Sequence, residues 1–131
     1  MKLYLDSSAL VKRYVEEPGS PAVAEAMDEA DAWTTSQITF VETLRVVGSD
    51  AGAMRRARDD WDEFDVIGLT PAVCERALAL AGEHELKTLD AIQLGSAAMS
   101  TLSDLTFATF DRRLHAAARA EGFETLPASL S

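Results

Sequence analysis

The sequence predicts an α/β domain built on a parallel β-sheet with helices on both faces. Three observations lead there. Short, apolar, β-prone runs (KLYL, AWTT, VIGL and LTFATF) recur along the chain. Segments with helical spacing lie between them, and each is long enough for a crossover connection. The 131 residues, 47% of them hydrophobic, suit one compact domain with a real core, read here as residues 1–131.

The opening strand KLYL runs into Asp6-Ser7-Ser8, residue types that cap helices, and ALVKRYV then reads as a helix. Glu16-Glu17-Pro18-Gly19 ends it. Ser20-Pro21 starts a second helix, with proline at its favoured first position, and this helix continues through AVAEAMDEA. AWTT is a short strand. In QITFVETLRVV, Ile38, Val41, Leu44 and Val47 fall near helical spacing. Gly48 to Gly52 marks a break, and MRRARDDWDEF resumes as an amphipathic helix. Val66 to Leu69 reads as a third strand, and Pro71 opens a helix to about Leu80. KTLDAIQLGSAAM is a helix with small residues on one side, suited to close packing. LTFATF is the clearest late strand, DRRLHAAARAEG is a helix closed by Gly122, and FETLP forms one more strand. There is no internal repeat, linker or low-complexity tract.

Composition excludes several function classes. Twenty-two acidic against twelve basic residues leave a formal net charge of -10, which argues against broad, metal-free binding to nucleic acid. It does not exclude a nucleic-acid enzyme, because carboxylates that hold divalent cations reverse their own local charge. Cys74 is the only cysteine, so an internal disulfide and a cysteine-rich zinc site are both ruled out, and a small buried thiol is expected. No apolar run approaches the roughly 20 residues that span a bilayer. Met1 is followed at once by KLYLD, which is read as leaving no room for a signal peptide, so a cytoplasmic protein is expected.

The chemistry-bearing set is acidic. In parallel α/β sheets, ligands bind beyond the carboxyl ends of the strands. Asp6 follows the first strand and Asp111 the late one, so both should emerge at that edge. Glu42, early in its helix, and Asp90, in the first turn of LDAIQL, belong to helix starts that crowd the same edge. Each acid alone has a simpler explanation. Asp6 and Asp111 fit N-caps, Thr39 to Glu42 has capping-box spacing, and Asp90 suits the positive end of a helix dipole. As a set they are harder to dismiss, because Glu42 and Asp90 interrupt apolar segments where an unpaired carboxylate is costly. Clustered carboxylates hold their protons more tightly unless a cation compensates them. One or two hard divalent ions, Mg²⁺ or Mn²⁺, remove both penalties and support phosphodiester hydrolysis. Ser7, Ser8 and Thr109 are placed to orient water or phosphate. Lys12, Arg13, Lys87, Arg112 and Arg113 flank the acids and can hold a substrate backbone or simply be solvated.

Four segments taken together (YLDSSALVKRYVEEPGS, TSQITFVETLR, LKTLDAIQLGSA and FATFDRRLHAAA) resemble PIN-domain proteins, in particular the VapC toxins of prokaryotic toxin–antitoxin pairs. The likeness runs in order from Met1 to about Gly122. It implies a three-layer α/β/α sandwich with a central parallel sheet, and Asp6, Glu42, Asp90 and Asp111 as the metal-binding, catalytic acids. It further implies an endoribonuclease using Mg²⁺ or Mn²⁺, a homodimer, and inhibition by a cognate antitoxin that covers the site. The chain departs from the family pattern at Gln93, where many members have His, and at Gly95, where they have Ala. Neither change removes an expected ligand, although substrate choice can be affected.

Two other classes fit the sequence less well. A phospho-acceptor receiver domain needs an acceptor Asp after the central strand and a late Lys; here VIGLT leads to Pro71 and the late strand to Asp111. A non-catalytic PIN-like binding module would keep the fold and only dock a partner, but the intact acidic set argues against it. His84 and His115 lack HxxH or HExxH spacing and read as surface residues. Trp33 and Trp61 read as core or dimer packing rather than base-stacking platforms.

Overall fold

The computed structural model describes residues Met1–Ser131. Five strands form one parallel sheet: β1 (Lys2–Leu5), β2 (Ala32–Ser36), β3 (Asp65–Ile67), β4 (Leu105–Ala108) and β5 (Glu124–Leu126), in the order β3-β2-β1-β4-β5. Helices α1 (Ser7–Leu10), α2 (Ser20–Glu29), α3 (Ile38–Val47), α4 (Ala51–Trp61), α5 (Pro71–His84), α6 (Thr88–Ala98) and α7 (Arg112–Ala120) complete a three-layer α/β/α sandwich.

The two-residue period of the central strands divides the core into two layers. Leu3 and Leu5 of β1 and Ala108 of β4 join Leu10, Val23, Met27 and Val47 from the N-terminal helices. Tyr4, Leu105 and Phe107 point the other way and pack with Leu80, Leu94 and Leu114 from α5, α6 and α7. Tyr4 and Phe107 are register partners, and their rings stack with centroids 4.9 Å apart. Trp33, Trp61, Phe40 and Phe64 form an aromatic cluster at the margin of the first layer, in line with the packing role expected of the two tryptophans.

Several local expectations are corrected. The first helix runs only to Leu10 and tightens into a 3-10 turn at Val11–Arg13. β3 lies at Asp65–Ile67 rather than 66–69 and is a largely exposed edge strand. α5 continues past Leu80 to His84 and stops where Glu85 turns left-handed at φ 53°. On α3 the expected apolar stripe is only partly inward: Leu44 and Val47 are buried, but Val41 is 66% exposed, and Thr39 and Thr43 are buried beside the two apolar residues. Nor is Thr39 an N-cap, since α3 starts at Ile38 with no side-chain cap. Cys74 is exposed because Val73, Ala77 and Leu80 form the inward stripe of α5, and Cys74 lies about 100° around the helix from Val73. His115 is buried rather than on the surface, with Nε2 2.7 Å from the Pro127 carbonyl of the C-terminal segment.

α5 and α6 form the tightest helix pair. A Cβ on Gly95 would meet the Ala77 backbone at 3.0 Å from N and 3.1 Å from Cα. A Gly95→Val substitution is therefore expected to force the helices apart. Urea and thermal unfolding should show a loss of about 2 kcal/mol, or roughly 5–10 °C in Tm.

Candidate active site

The parallel register of β1 and β4 sets Leu5 opposite Ala108, so the residues that follow leave the sheet side by side. The Asp6 backbone N–H still donates to the Ala108 carbonyl at 3.2 Å, and the Thr109 hydroxyl then donates to Asp6 Oδ2 at 2.6 Å. Asp6 is only 3% exposed. Its Oδ1 accepts from the Ala9 N–H at 2.9 Å, capping α1, and from the Ser8 hydroxyl at 2.7 Å. Ser8 Oγ in turn accepts from the Phe110 N–H at 2.9 Å, tying the two strand exits together. The Ser7 side chain takes no part in this bonding.

Asp111 caps α7 through Oδ1, which accepts from the Leu114 N–H at 2.9 Å, while its own N–H donates to Thr109 Oγ1 at 3.1 Å. Thr109, fully buried, thus joins Asp6 to Asp111. Capping and site-building are not alternatives here, because each cap leaves one carboxylate oxygen outside the helix end. Asp90 sits in the first turn of α6, and Glu42 lies on α3 with Oε1 accepting from Gln93 Nε2 at 2.9 Å.

These acids are electrostatically coupled. Burial raises the Asp6 carboxyl from 3.8 to about 6; hydrogen bonds from Thr109, Ser8 and Ala9 oppose the rise, and the Asp90 charge adds to it. Asp90 is raised chiefly by desolvation, then by the charges of Asp111 and Glu42, with Lys87 pulling the other way. Asp90 is therefore the residue through which all four acids are coupled. Such mutual repulsion at a partly buried edge is the condition a cation relieves.

Residues 3–120 match the family model described as PIN domain. The chain belongs to the PIN-domain family. Curated relatives include Ribonuclease VapC45 from Mycobacterium tuberculosis (strain CDC 1551 / Oshkosh). It is 32% identical over 139 residues, covering 98% of this chain and 96% of the relative. Ribonuclease VapC47 from the same strain is 35% identical over 130 residues, covering 94% of each. Among solved structures, Mycobacterium tuberculosis VapC20, described as a Sarcin-Ricin loop cleaving toxin, superposes with a TM-score of 0.71 at 16% identity, covering 92% of this chain and 95% of that one. A toxin-antitoxin complex from Klebsiella pneumoniae gives 0.69 at 24% identity, covering 83% and 86%. At these identities the two structures establish the shared fold.

The flanking cations of this PIN domain divide into two groups. Lys12 donates to Glu17 Oε1 at 3.0 Å and to the Pro18 carbonyl at 2.7 Å, and it lies 4.5 Å from the Phe110 ring centroid. Arg13 is paired with Asp60 at 2.9 Å. Arg113 reaches the Glu85 carbonyl at 3.3 Å. Lys87 and Arg112 are exposed and make no ion pair. A tighter trio of metal-competent side chains lies elsewhere: Glu83, His84 and Glu121, with ligand atoms all within 4.8 Å. Glu121 there is already satisfied by Arg76 at 2.9 Å and His84 at 2.7 Å, so the trio is an ion-pair network between α5 and the end of α7. Sequence reasoning missed Tyr4, Thr35 and Thr39 as parts of the site's support. The one available signal was the polar run Thr34-Thr35-Ser36 ending a strand, where an apolar end is the norm for a buried parallel sheet.

Proposed function

We propose that this PIN domain is a metal-dependent endoribonuclease and the toxin of a toxin–antitoxin pair, working in the cytoplasm as a homodimer on RNA and held in check by a cognate antitoxin. The observation that carries the reading is that Asp6 and Asp111 leave neighbouring parallel strands joined through Thr109, with Asp90 electrostatically coupled to both and to Glu42. Near-full-length likeness to curated ribonucleases supports it. The donor set fits Mg²⁺ or Mn²⁺, one or two ions: it consists of carboxylate oxygens, with no thiol or imidazole among them, backed by hydroxyls. A bound divalent ion would supply Lewis acidity for phosphodiester hydrolysis.

The chain's own residues then have separable tasks. Asp6 and Asp111 are held rigid by their helix caps and by Thr109. Asp90 is coupled to Asp6, Asp111 and Glu42, and Glu42 is held by the Gln93 amide. Lys87 and Arg112 are free to meet the RNA backbone, whereas Lys12 is committed to the Glu17–Pro18 turn. Expected outcomes follow for both cations. Arg112→Ala should raise KM about 3–10-fold with kcat nearly unchanged, the mark of lost phosphate binding. Lys12→Ala should act mainly on stability, lowering Tm in an unfolding scan.

The direct test is cleavage of RNA by purified protein. Cleavage should appear with Mg²⁺ or Mn²⁺ and stop on adding a chelator. Cleavage undiminished by the chelator would reject the metal mechanism. Absence of both cleavage and metal binding would favour a non-catalytic docking module.

A further inference from the structure

Gln93 lies on α6, one turn past Asp90, with its side chain almost wholly inside the protein at 2% exposure. Both of its N–H bonds are used. Nε2 donates to Glu42 Oε1 and to Thr39 Oγ1, each at 2.9 Å. Its carbonyl oxygen accepts from the Tyr4 hydroxyl at 2.6 Å, and Tyr4 is fully buried in β1. A reversed amide would set its oxygen against the Glu42 carboxylate and leave the Tyr4 proton facing N–H groups. The orientation is therefore dictated by chemistry. The Thr35 hydroxyl donates to the Leu5 carbonyl at 2.6 Å, which leaves Thr39 to donate to Thr35 across 2.8 Å. Donors run in one direction from Gln93 through Thr39 and Thr35 to Leu5, the residue immediately before Asp6. Such chains polarise and stiffen one another.

We propose that Gln93 is a positioning residue whose amide, oriented by Tyr4 and anchored through Thr39 and Thr35 to β1, fixes the Glu42 carboxylate for divalent-cation binding. A free glutamate loses side-chain entropy when it is ordered. A carboxylate already held at one oxygen meets part of that cost before the ion arrives. The inference rests on the reading of Glu42 as one of the cation-holding acids.

The test is Mn²⁺ titration of the full chain, followed by electron paramagnetic resonance, beside thermal unfolding without metal. Gln93→Leu should bind Mn²⁺ about 10–100-fold more weakly than wild type, the loss typical of a partner that orients a ligand. Gln93→His, which retains an N–H donor, should recover part of that affinity. In a Glu42→Gln background, Gln93→Leu should cost less than about 2-fold more, since its effect passes through Glu42. Should Gln93→Leu unfold because the Tyr4 hydroxyl is orphaned, Tyr4→Phe carries the same test, with an expected loss of about 3–10-fold. Equal affinity in wild type, Gln93→Leu and Tyr4→Phe would overturn the proposal, as would an undiminished loss in the Glu42→Gln background. Failure of wild type itself to bind Mn²⁺ would instead overturn the cation reading, and the proposal with it.

Discussion

Asp6→Asn should abolish RNA cleavage and yet make the metal-free protein more stable. Loss of a carboxylate that holds the cation is expected to slow cleavage by about 10³-fold or more, equivalent to about 4 kcal/mol. The stability gain comes from the buried position of Asp6. Its carboxyl titrates at about 6 in the folded chain against 3.8 when unperturbed, so the folded state binds the proton more tightly than the unfolded chain does. Stability of the metal-free protein therefore falls as pH rises from about 4 to about 6, and the penalty is complete at neutral pH. The difference corresponds to about 3 kcal/mol at most. Asparagine removes the charge and, with its oxygen kept on Ala9 and Ser8, gives up one acceptor, toward Thr109. A net gain of about 1–2 kcal/mol, or roughly 5 °C in Tm, is expected at pH 7.5 in chelator. The check is a pair of measurements on one preparation, gel-based cleavage and calorimetry. Full cleavage by the variant would remove Asp6 from the mechanism.

Divalent cations should reverse that pH dependence in the wild-type chain. At a concentration 100 times its dissociation constant, an ion bound only by the folded state contributes about 2.7 kcal/mol, which is about 10 °C in Tm for a domain of this size. Protons compete for the same oxygens, so the gain should be large at pH 7.5 and small at pH 5, below the Asp6 titration. Asp90→Asn, which removes the charge coupling all four acids, should abolish most of the shift. Calorimetry with Mg²⁺, with Mn²⁺ and with chelator measures this directly. Identical Tm values in all three conditions at pH 7.5 would contradict cation binding at this edge.

Much of the architecture can be read locally. KLYL and the LTFA of LTFATF are strands because β-prone apolar residues fill them, and each is followed within three residues by a carboxylate that caps the next helix. Once strands and crossovers alternate, right-handed parallel pairing follows, and Asp6 and Asp111 must leave the sheet on one side. That much of the candidate site was legible because it depends on strand direction alone. The α3 helix shows where local reasoning stops: spacing favoured Val41 as inward, but the helix turns Thr39 and Thr43 inward instead. The reason lies 54 residues away, where the Gln93 amide offers Thr39 a buried partner.

The sequence by itself determined the strand–helix alternation, the absence of an internal disulfide, and the exit of Asp6 and Asp111 on one side of the sheet, since these follow from residue type, short-range periodicity and strand direction. Only the tertiary structure decided that Thr109 bridges Asp6 to Asp111, that Gln93 holds Glu42, that Lys12 is committed to a turn, and that Cys74 faces outward. The physical reason is range. Helix and strand preferences act over a few residues, whereas the bonds joining Asp6 to Thr109 and Glu42 to Gln93 span 103 and 51 residues and exist only after the sheet has assembled.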